Sequence, residues 1–357
     1  MPDQPAIDQA KVEAFVHRVL GDTSAALTTT LAALGDRLGL FKDLAANGPA
    51  TSAELAARTG VHERYAREWL GGMANAGYVA YDPASHRFTL PPEHTPALAQ
   101  EGGPVFFGGV YQMMTGMTGI LDQLTAAFRA GGGVPQSAYD DNMWDGLERF
   151  TNGWFENLLT QQWLPAMAEV QAKLDGGADV ADVGCGRGRA LIKLAQAYPR
   201  ARYVGYDAFG PTIGRATANA HAAGVGDRVR FQQLDAAKGL PTSYDVITTF
   251  DVVHDAVDPR GLLRAIRHAL RPDGVYVCLD INCSAKLEEN HGPLGAMFHG
   301  FSVLYCMTTS LAGGGMGLGT LGLPEPRVKE LCAEAGFGSV RRVPLENPFN
   351  NLYEVRP

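Results

Sequence analysis

The sequence contains no Cys-x-x-Cys, and its five cysteines (Cys185, Cys278, Cys283, Cys306 and Cys332) are an odd number scattered over 357 residues. That pattern argues against a disulfide framework or a thiolate zinc cluster. No metal is expected, and a cytoplasmic, reducing location fits. Positive charge is also scarce. Thirty Lys and Arg face 38 Asp and Glu, a formal net charge of −8, the wrong sign for a chain that works by neutralising phosphates. The opening MPDQPAIDQAKVEAF has acidic residues where a secretory leader needs basic ones, and no apolar run follows. Residues 102–121 and 290–324 lack Asp, Glu, Lys and Arg. Both are rich in Gly, Thr and Ser rather than in continuous Leu, Ile and Val, so no membrane span is expected. With 46% hydrophobic and 19% charged residues, the composition is that of a globular chain rather than a disordered one. The length suggests two domains.

The first hundred residues read as helical. Val12, Phe15, Val16, Val19 and Leu20 share one helical face, and a second helix is expected over 23–44. Thr51 and Glu54 have capping-box spacing for a short helix that Gly60 ends. A further helix over 62–76 carries Tyr65, Trp69, Leu70 and Met73 on one face. Two short apolar runs, 78–81 and 87–90, flank the turn cluster Asp82-Pro83-Ala84-Ser85. Helix, turn, helix and hairpin together resemble a winged helix. Residues 104–129 and 145–174 predict two more helical stretches. From 178 onward the pattern becomes strand, helix, strand, helix, which predicts a parallel sheet covered on both faces. Two apolar runs, 339–343 and 351–355, suit an antiparallel edge pair. The expected domains are 1–100 (winged helix, for dimerisation), 101–175 (helical linker and substrate lid) and 176–357.

The strongest motif is Asp182-Val183-Gly184-Cys185-Gly186-Arg187-Gly188 at a strand-to-helix junction. Glycines there let a ligand approach the backbone, and the helix start carries partial positive charge. A dinucleotide fingerprint needs G-x-G-x-x-G, but Arg189 and Leu191 stand where the third glycine belongs. No Gly-Lys-Ser or Gly-Lys-Thr follows either, so a P-loop is excluded. Asp207 ends the second strand, Asp235 the third, and Asp251 with His254 the fourth. A carboxylate after the second strand can accept hydrogen bonds from ribose hydroxyls. Any one of these aspartates could be a helix cap. Four such strand ends in succession point instead to one ligand crevice.

In these motifs, residues 178–282 resemble a class I S-adenosylmethionine-dependent methyltransferase: a Rossmann-like α/β sheet, parallel with an antiparallel edge strand. The whole chain resembles small-molecule O-methyltransferases with a mostly helical N-terminal winged-helix domain. The segments SVLYCMTTSLAGGGMGLGT and ENPFNNLYEVRP resemble an actinobacterial and mycobacterial winged-helix methyltransferase group. The resemblance implies S-adenosyl-L-methionine as cofactor. It places Asp182, Gly184, Cys185, Gly186 and Gly188 at the methionine end, and Asp207 at the ribose with Ala208 and Phe209 nearby. Asp235 and Ala236 fall at the adenine, and Phe250 and Asp251 near the amino group. It also implies His254, followed by Asp255, as the general base. The family's usual His-Asp-Trp is interrupted here by Ala256.

A small, fairly apolar acceptor is expected, methylated on oxygen by preference or on carbon. Its pocket would draw on Tyr111, Met114 and Met117 from one uncharged stretch and on Phe298, Phe301 and Tyr305 from the other. His291 and His299 lie in the second stretch, and the resemblance to a C-methyltransferase of similar two-domain layout implies that one of them could join His254 as an iron ligand. Cys306 reads as a small buried hydrophobe. The alternative function is an S-adenosylmethionine-sensing winged-helix regulator without catalysis. Residues 24–95 carry six basic and seven acidic side chains, and that balance argues against nucleic acid. The Leu-rich helices suggest a homodimer instead.

Overall fold

The computed structural model describes residues 7–357. The chain forms two compact units. The first runs to Thr115 and takes in Asp145–Phe150; the second holds Gly116–Trp144 and Thr151–Pro357.

In the first unit α1 (Gln9–Arg37) starts at Asp8, whose carboxylate accepts from the backbone N–H of Ala10 and Lys11. The two helices expected on either side of Gly21 are one continuous helix. A single helical glycine costs only about 1 kcal/mol. The break comes at Gly39, which takes the left-handed conformation (φ 70°) that glycine tolerates best. There α2 (Leu40–Asn47) begins. Next come α3 (Ser52–Thr59), with the Thr51–Glu54 capping box fully formed, and α4 (Glu63–Asn75). The α4 helix buries Ala66, Trp69, Leu70 and Met73, whereas Tyr65, expected on the same face, is exposed. The Trp69 indole N–H donates to the Leu31 carbonyl at 2.8 Å, locking α4 to α1. Gly35 makes that approach possible, because a Cβ there would lie 2.4 Å from the Trp69 ring. Strands β1 (Ala80–Asp82) and β2 (Arg87–Thr89) form the antiparallel wing.

The second unit is built on a seven-stranded sheet: β3 (Asp179–Val183), β4 (Arg202–Asp207), β5 (Val229–Gln233), β6 (Tyr244–Phe250), β7 (Leu270–Ile281), β8 (Ser339–Val343) and β9 (Asn350–Arg356). The spatial order is β5-β4-β3-β6-β7-β9-β8. The first five strands in that order are parallel, and β9 runs antiparallel to β7 and β8. Alternation along the central strands serves two cores. Ile247 and Tyr276 pack with Leu262, Ile266 and Leu331 of the helices Pro259–Ala269 and Glu325–Glu334. Val246, Val277 and Leu352 line a small apolar cavity with Leu159, Trp163 and Leu194. The strand order reverses between β3 and β6. In such sheets the crevice outside the carboxyl ends at the reversal is where ligands sit.

The two long helical expectations are corrected. Residues 104–129 form separate helices, Gly108–Thr118 and Leu121–Ala130. Residues 145–174 are interrupted. An α-helix (Asp141–Trp154) passes into a π-helical turn (Phe155–Trp163), and after a break a new helix spans Ala168–Gly176. Pro165 cannot donate to the helical ladder, and the Leu164 N–H reaches back five residues to the Leu159 carbonyl. A second π-helical turn, Ser302–Cys306, follows the helix Gly292–Phe301. No described helix is long and apolar enough to cross a membrane.

Candidate active site

The glycine turn after β3 is held from β4. The N–H groups of Gly184 and Cys185 both donate to the Tyr206 carbonyl, at 2.7 and 3.0 Å. Gly186 N–H donates to Asp207 Oδ2, and Phe209 N–H to Asp207 Oδ1, each at 2.8 Å. Gly184, Gly186 and Gly188 all have positive φ. A Cβ on Gly184 would strike Val252 and one on Gly188 would strike Phe231, but one on Gly186 would meet open space. The turn is thus packed on both sides and open at its tip, beside Asp207.

Asp182 is 2% exposed, and its Oδ1 accepts from Thr248 Oγ1 at 2.7 Å. Burial raises its pKa to about 7, against the pull of the Thr248 hydroxyl and with help from the Asp207 charge. Burial also raises the Asp207 pKa, while its two backbone donors pull it back. The Cys185 thiol is buried and pushed well up. At the end of β5, Asp235 caps the short turn Ala236–Lys238 and lies 3.2 Å from the Lys238 ammonium. That carboxylate is exposed and Ala236 is buried, so Asp235 serves as a local cap whatever else it contacts.

At the end of β6, Phe250 packs against Phe155 and Trp163, with ring centroids 5.2 and 6.3 Å away. Asp251 adopts φ 56°, rare for a non-glycine residue. Its Oδ1 accepts from Asn350 Nδ2 at 2.6 Å. Burial, with the neighbouring Asp280 charge, lifts its pKa to about 8. His254 is 2% exposed. Its Nδ1 lies 2.7 Å from Asp280 Oδ1, and its Nε2 lies 3.0 Å from Asp255 Oδ1. Burial opposes the charged ring, but the carboxylates of Asp280 and Asp255 outweigh it and hold the pKa well above the usual value. Among the described residues, two groups bring potential metal ligands within 4.8 Å of one another: His254 with Asp255 and Cys306, and His254 with Asp251 and Asp280. Neither includes His291 or His299, which are both exposed.

The residues expected to line a pocket are divided between the two units. Tyr111 is buried in the core of the first unit, and Met114, also in that unit, is exposed. In the second unit Met117 and Phe298 are buried, Phe301 is partly exposed, and Phe298 packs edge-on to Phe349. Tyr305 instead joins an aromatic cluster with Tyr139 and Trp144, and Trp144 stacks on Phe209 at 4.8 Å. Trp144, Tyr139 and Asp280 were not singled out from the sequence. Asp280 carried a usable signal, a carboxylate near the end of the fifth parallel strand. The two tryptophan and tyrosine positions carried none.

Two family models match the chain: an Rv2258c-like winged HTH domain at residues 25–100 and a methyltransferase domain at 181–276. The chain spans 24–59% of the length of the first curated relatives it matches. A longer match is to the mitomycin biosynthesis 6-O-methyltransferase of Streptomyces lavendulae, 26% identical over 67% of this chain and 70% of that one. Among solved structures, the mitomycin 7-O-methyltransferase MmcR is 20% identical with a TM-score of 0.71, covering 98% of this chain and 99% of the other. Human N-acetylserotonin methyltransferase, solved in complex with SAM, is 17% identical with a TM-score of 0.65, and 99% of each chain is covered. The chain thus joins an Rv2258c-like winged helix-turn-helix domain to a Rossmann-like methyltransferase domain.

Proposed function

We propose that the chain is an S-adenosyl-L-methionine-dependent methyltransferase acting on a small, fairly apolar metabolite, with oxygen the favoured acceptor and carbon the second. The observation that carries this reading is the Gly186–Asp207 tie. It sets a carboxylate beside the open tip of a glycine turn at the carboxyl ends of β3 and β4. The donor set suits this cofactor. Each Asp207 oxygen holds one backbone N–H and keeps a lone pair for a ribose diol. Asp182 is a buried acid with only a hydroxyl partner, suited to the cationic methionine end reached through Gly184, Cys185 and Gly188. Ala208 and Phe209 would flank the adenosine, Asp235 and Ala236 its base, and Phe250 and Asp251 the amino group. The bound sulfonium supplies an already activated methyl, so what the protein must add is chiefly alignment and exclusion of water.

His254 is proposed as the base for the acceptor proton. Asp280 fixes its Nδ1 and so aims Nε2. Asp255 now stands at Nε2, and must yield that place for an acceptor hydroxyl to reach the ring. Met117, Phe298, Phe301 and Tyr305 are the proposed apolar wall of the second unit.

The winged domain is proposed to form a homodimer. Phe15, Val16, Val19 and Leu20 of α1 are exposed. Arg64 and Arg67 of α4 are paired with Glu68 and Glu63 of the same helix, which leaves little free positive charge for DNA. The five unpaired cysteines favour a reducing, cytoplasmic setting. Calorimetric titration with S-adenosylhomocysteine, followed by turnover on a library of phenolic and enolic acceptors, tests the assignment. Micromolar binding with methylated product supports it. No binding, or binding of a nicotinamide dinucleotide instead, overturns it.

A further inference from the structure

We propose that Ser310 is a positioning residue for His254, acting through a glycine strap, residues 313–319, that holds the loop carrying the imidazole. The inference deepens the proposed function and rests on its reading of His254 as the base.

Residues 254–257 lie between β6 and the helix Pro259–Ala269 and belong to neither. Two turn bonds hold the loop locally. The Asp255 N–H donates to the Val252 carbonyl at 3.1 Å, and the Ala256 N–H to the Val253 carbonyl at 3.3 Å. The rest of its support comes from far along the chain. The Gly319 N–H donates to the His254 carbonyl at 3.2 Å, and the Met316 N–H to the Val257 carbonyl at 3.1 Å. Between them, the Ser310 hydroxyl donates to the Ala256 carbonyl at 2.9 Å. The carbonyls of His254, Ala256 and Val257 are thus all held by one stretch, 310–319.

Ser310 is the centre of that contact. It lies in the helix Met307–Ala312 and is fully buried. A helical serine or threonine ordinarily returns its hydroxyl proton to a carbonyl one turn back, as Thr309 does to Cys306. Ser310 gives its proton to another part of the fold. The same oxygen accepts from the Gly317 N–H at 3.1 Å, and the Ser310 carbonyl accepts from the N–H groups of Gly313 and Gly315. One residue therefore folds the strap and joins it to the loop. The fit is close at Gly315, where a Cβ would lie 2.6 Å from the Val257 Cα and from its carbonyl oxygen.

A base at His254 works only if Nε2 is aimed at the acceptor. Asp280 orients the ring from Nδ1, and the strap fixes the backbone from which the ring projects. A misplacement of about 1 Å can cost on the order of 100-fold in rate. Without the Ser310 hydroxyl, the Ala256 carbonyl and the Gly317 N–H lose their partners, and the loop is released from the strap at its middle.

The test uses the full chain with two substitutions that attack the contact differently. Ser310→Ala deletes the hydroxyl, and Gly315→Ala drives a methyl group against Val257. The His254 Nδ1–H, bonded to Asp280 at 2.7 Å, should give a proton resonance downfield of the amides in the wild-type chain, assigned by its loss in His254→Ala. In both variants that resonance should vanish by exchange with water, while the S-adenosylhomocysteine Kd stays that of wild type. On a phenolic acceptor from the turnover screen, kcat should fall by about 10–100-fold with KM unchanged. A resonance as persistent as the wild type's in either folded variant overturns the proposal. So does its absence from the wild-type chain, or a loss confined to KM. If the wild-type chain methylates no acceptor, the methyltransferase reading fails, and the resonance still decides whether the strap holds the imidazole.

Discussion

The Gly186 N–H donates to Asp207 Oδ2 at 2.8 Å across 21 residues of sequence. One carboxylate thereby shapes the turn after β3 and stands at its rim, where the proposed cofactor would meet it. Asp207→Ala removes both functions. Cofactor affinity should fall by about 10–100-fold, the loss of one or two charge-assisted hydrogen bonds. Calorimetry with S-adenosylhomocysteine measures it. An unchanged Kd would show that Asp207 holds only the turn.

This part of the molecule was legible in the sequence because its signals are local. Glycines forced into positive φ, aspartates at strand ends and apolar runs of strand length lie within a few residues of one another. Strands Tyr244–Phe250 and Ser339–Val343 fall on their predicted limits. What stayed hidden depends on distant partners. Nothing near Cys306 points to a histidine 52 residues earlier, and nothing near Trp144 points to Phe209. The π-helical turns at Phe155–Trp163 and Ser302–Cys306 have no periodicity of their own, since one extra residue per turn reads as noise in a 3.6-residue pattern. The break expected near Gly21 failed for the opposite reason: a local signal was overruled by helix continuity.

Asp182 and Asp251 make the second unit less stable as pH rises. Their native pKa values, about 7 and about 8, exceed the unfolded value of about 3.9. Between those limits the native state binds more protons than the unfolded state, so unfolding free energy falls with increasing pH. The contribution is fully present below about pH 4 and is lost as pH climbs through 7 to 8. Asp182→Asn keeps an oxygen for the Thr248 hydroxyl and removes the buried charge. It should flatten that slope and raise stability at pH 8 by on the order of 1–3 kcal/mol. Urea midpoints at pH 5 and pH 8 measure it. A variant with the wild-type slope would show that Asp182 is not the titrating group.

In the winged domain the α1–α4 contact and the outer face of α1 should respond differently. Trp69→Ala removes a buried ring, its contact with Phe41 and its bond to Leu31, and should cost about 3–5 kcal/mol. Val16→Glu with Leu20→Glu changes side chains that are already exposed. Helicity should be kept while a dimer dissociates. Sedimentation velocity decides the second case. A wild-type monomer, or an unaffected dimer in the double variant, removes α1 from the proposed interface.

His254 and Asp280 can be separated by the pH dependence of turnover. A general base works only when deprotonated, so the rate should rise with pH through the His254 pKa. The two carboxylates hold that pKa well above its ordinary value, which places the acid limb above about pH 6.5. Asp280→Asn deletes one of the charges that retain the proton. The limb should then move to lower pH, with a lower plateau because the ring loses its guide. His254→Ala should abolish the limb and most turnover while leaving the cofactor Kd within about twofold, since the glycine turn and Asp207 are untouched. A limb that stays in place in Asp280→Asn would mean that another group titrates. If His254→Ala kept full turnover, the acceptor would be losing its proton elsewhere.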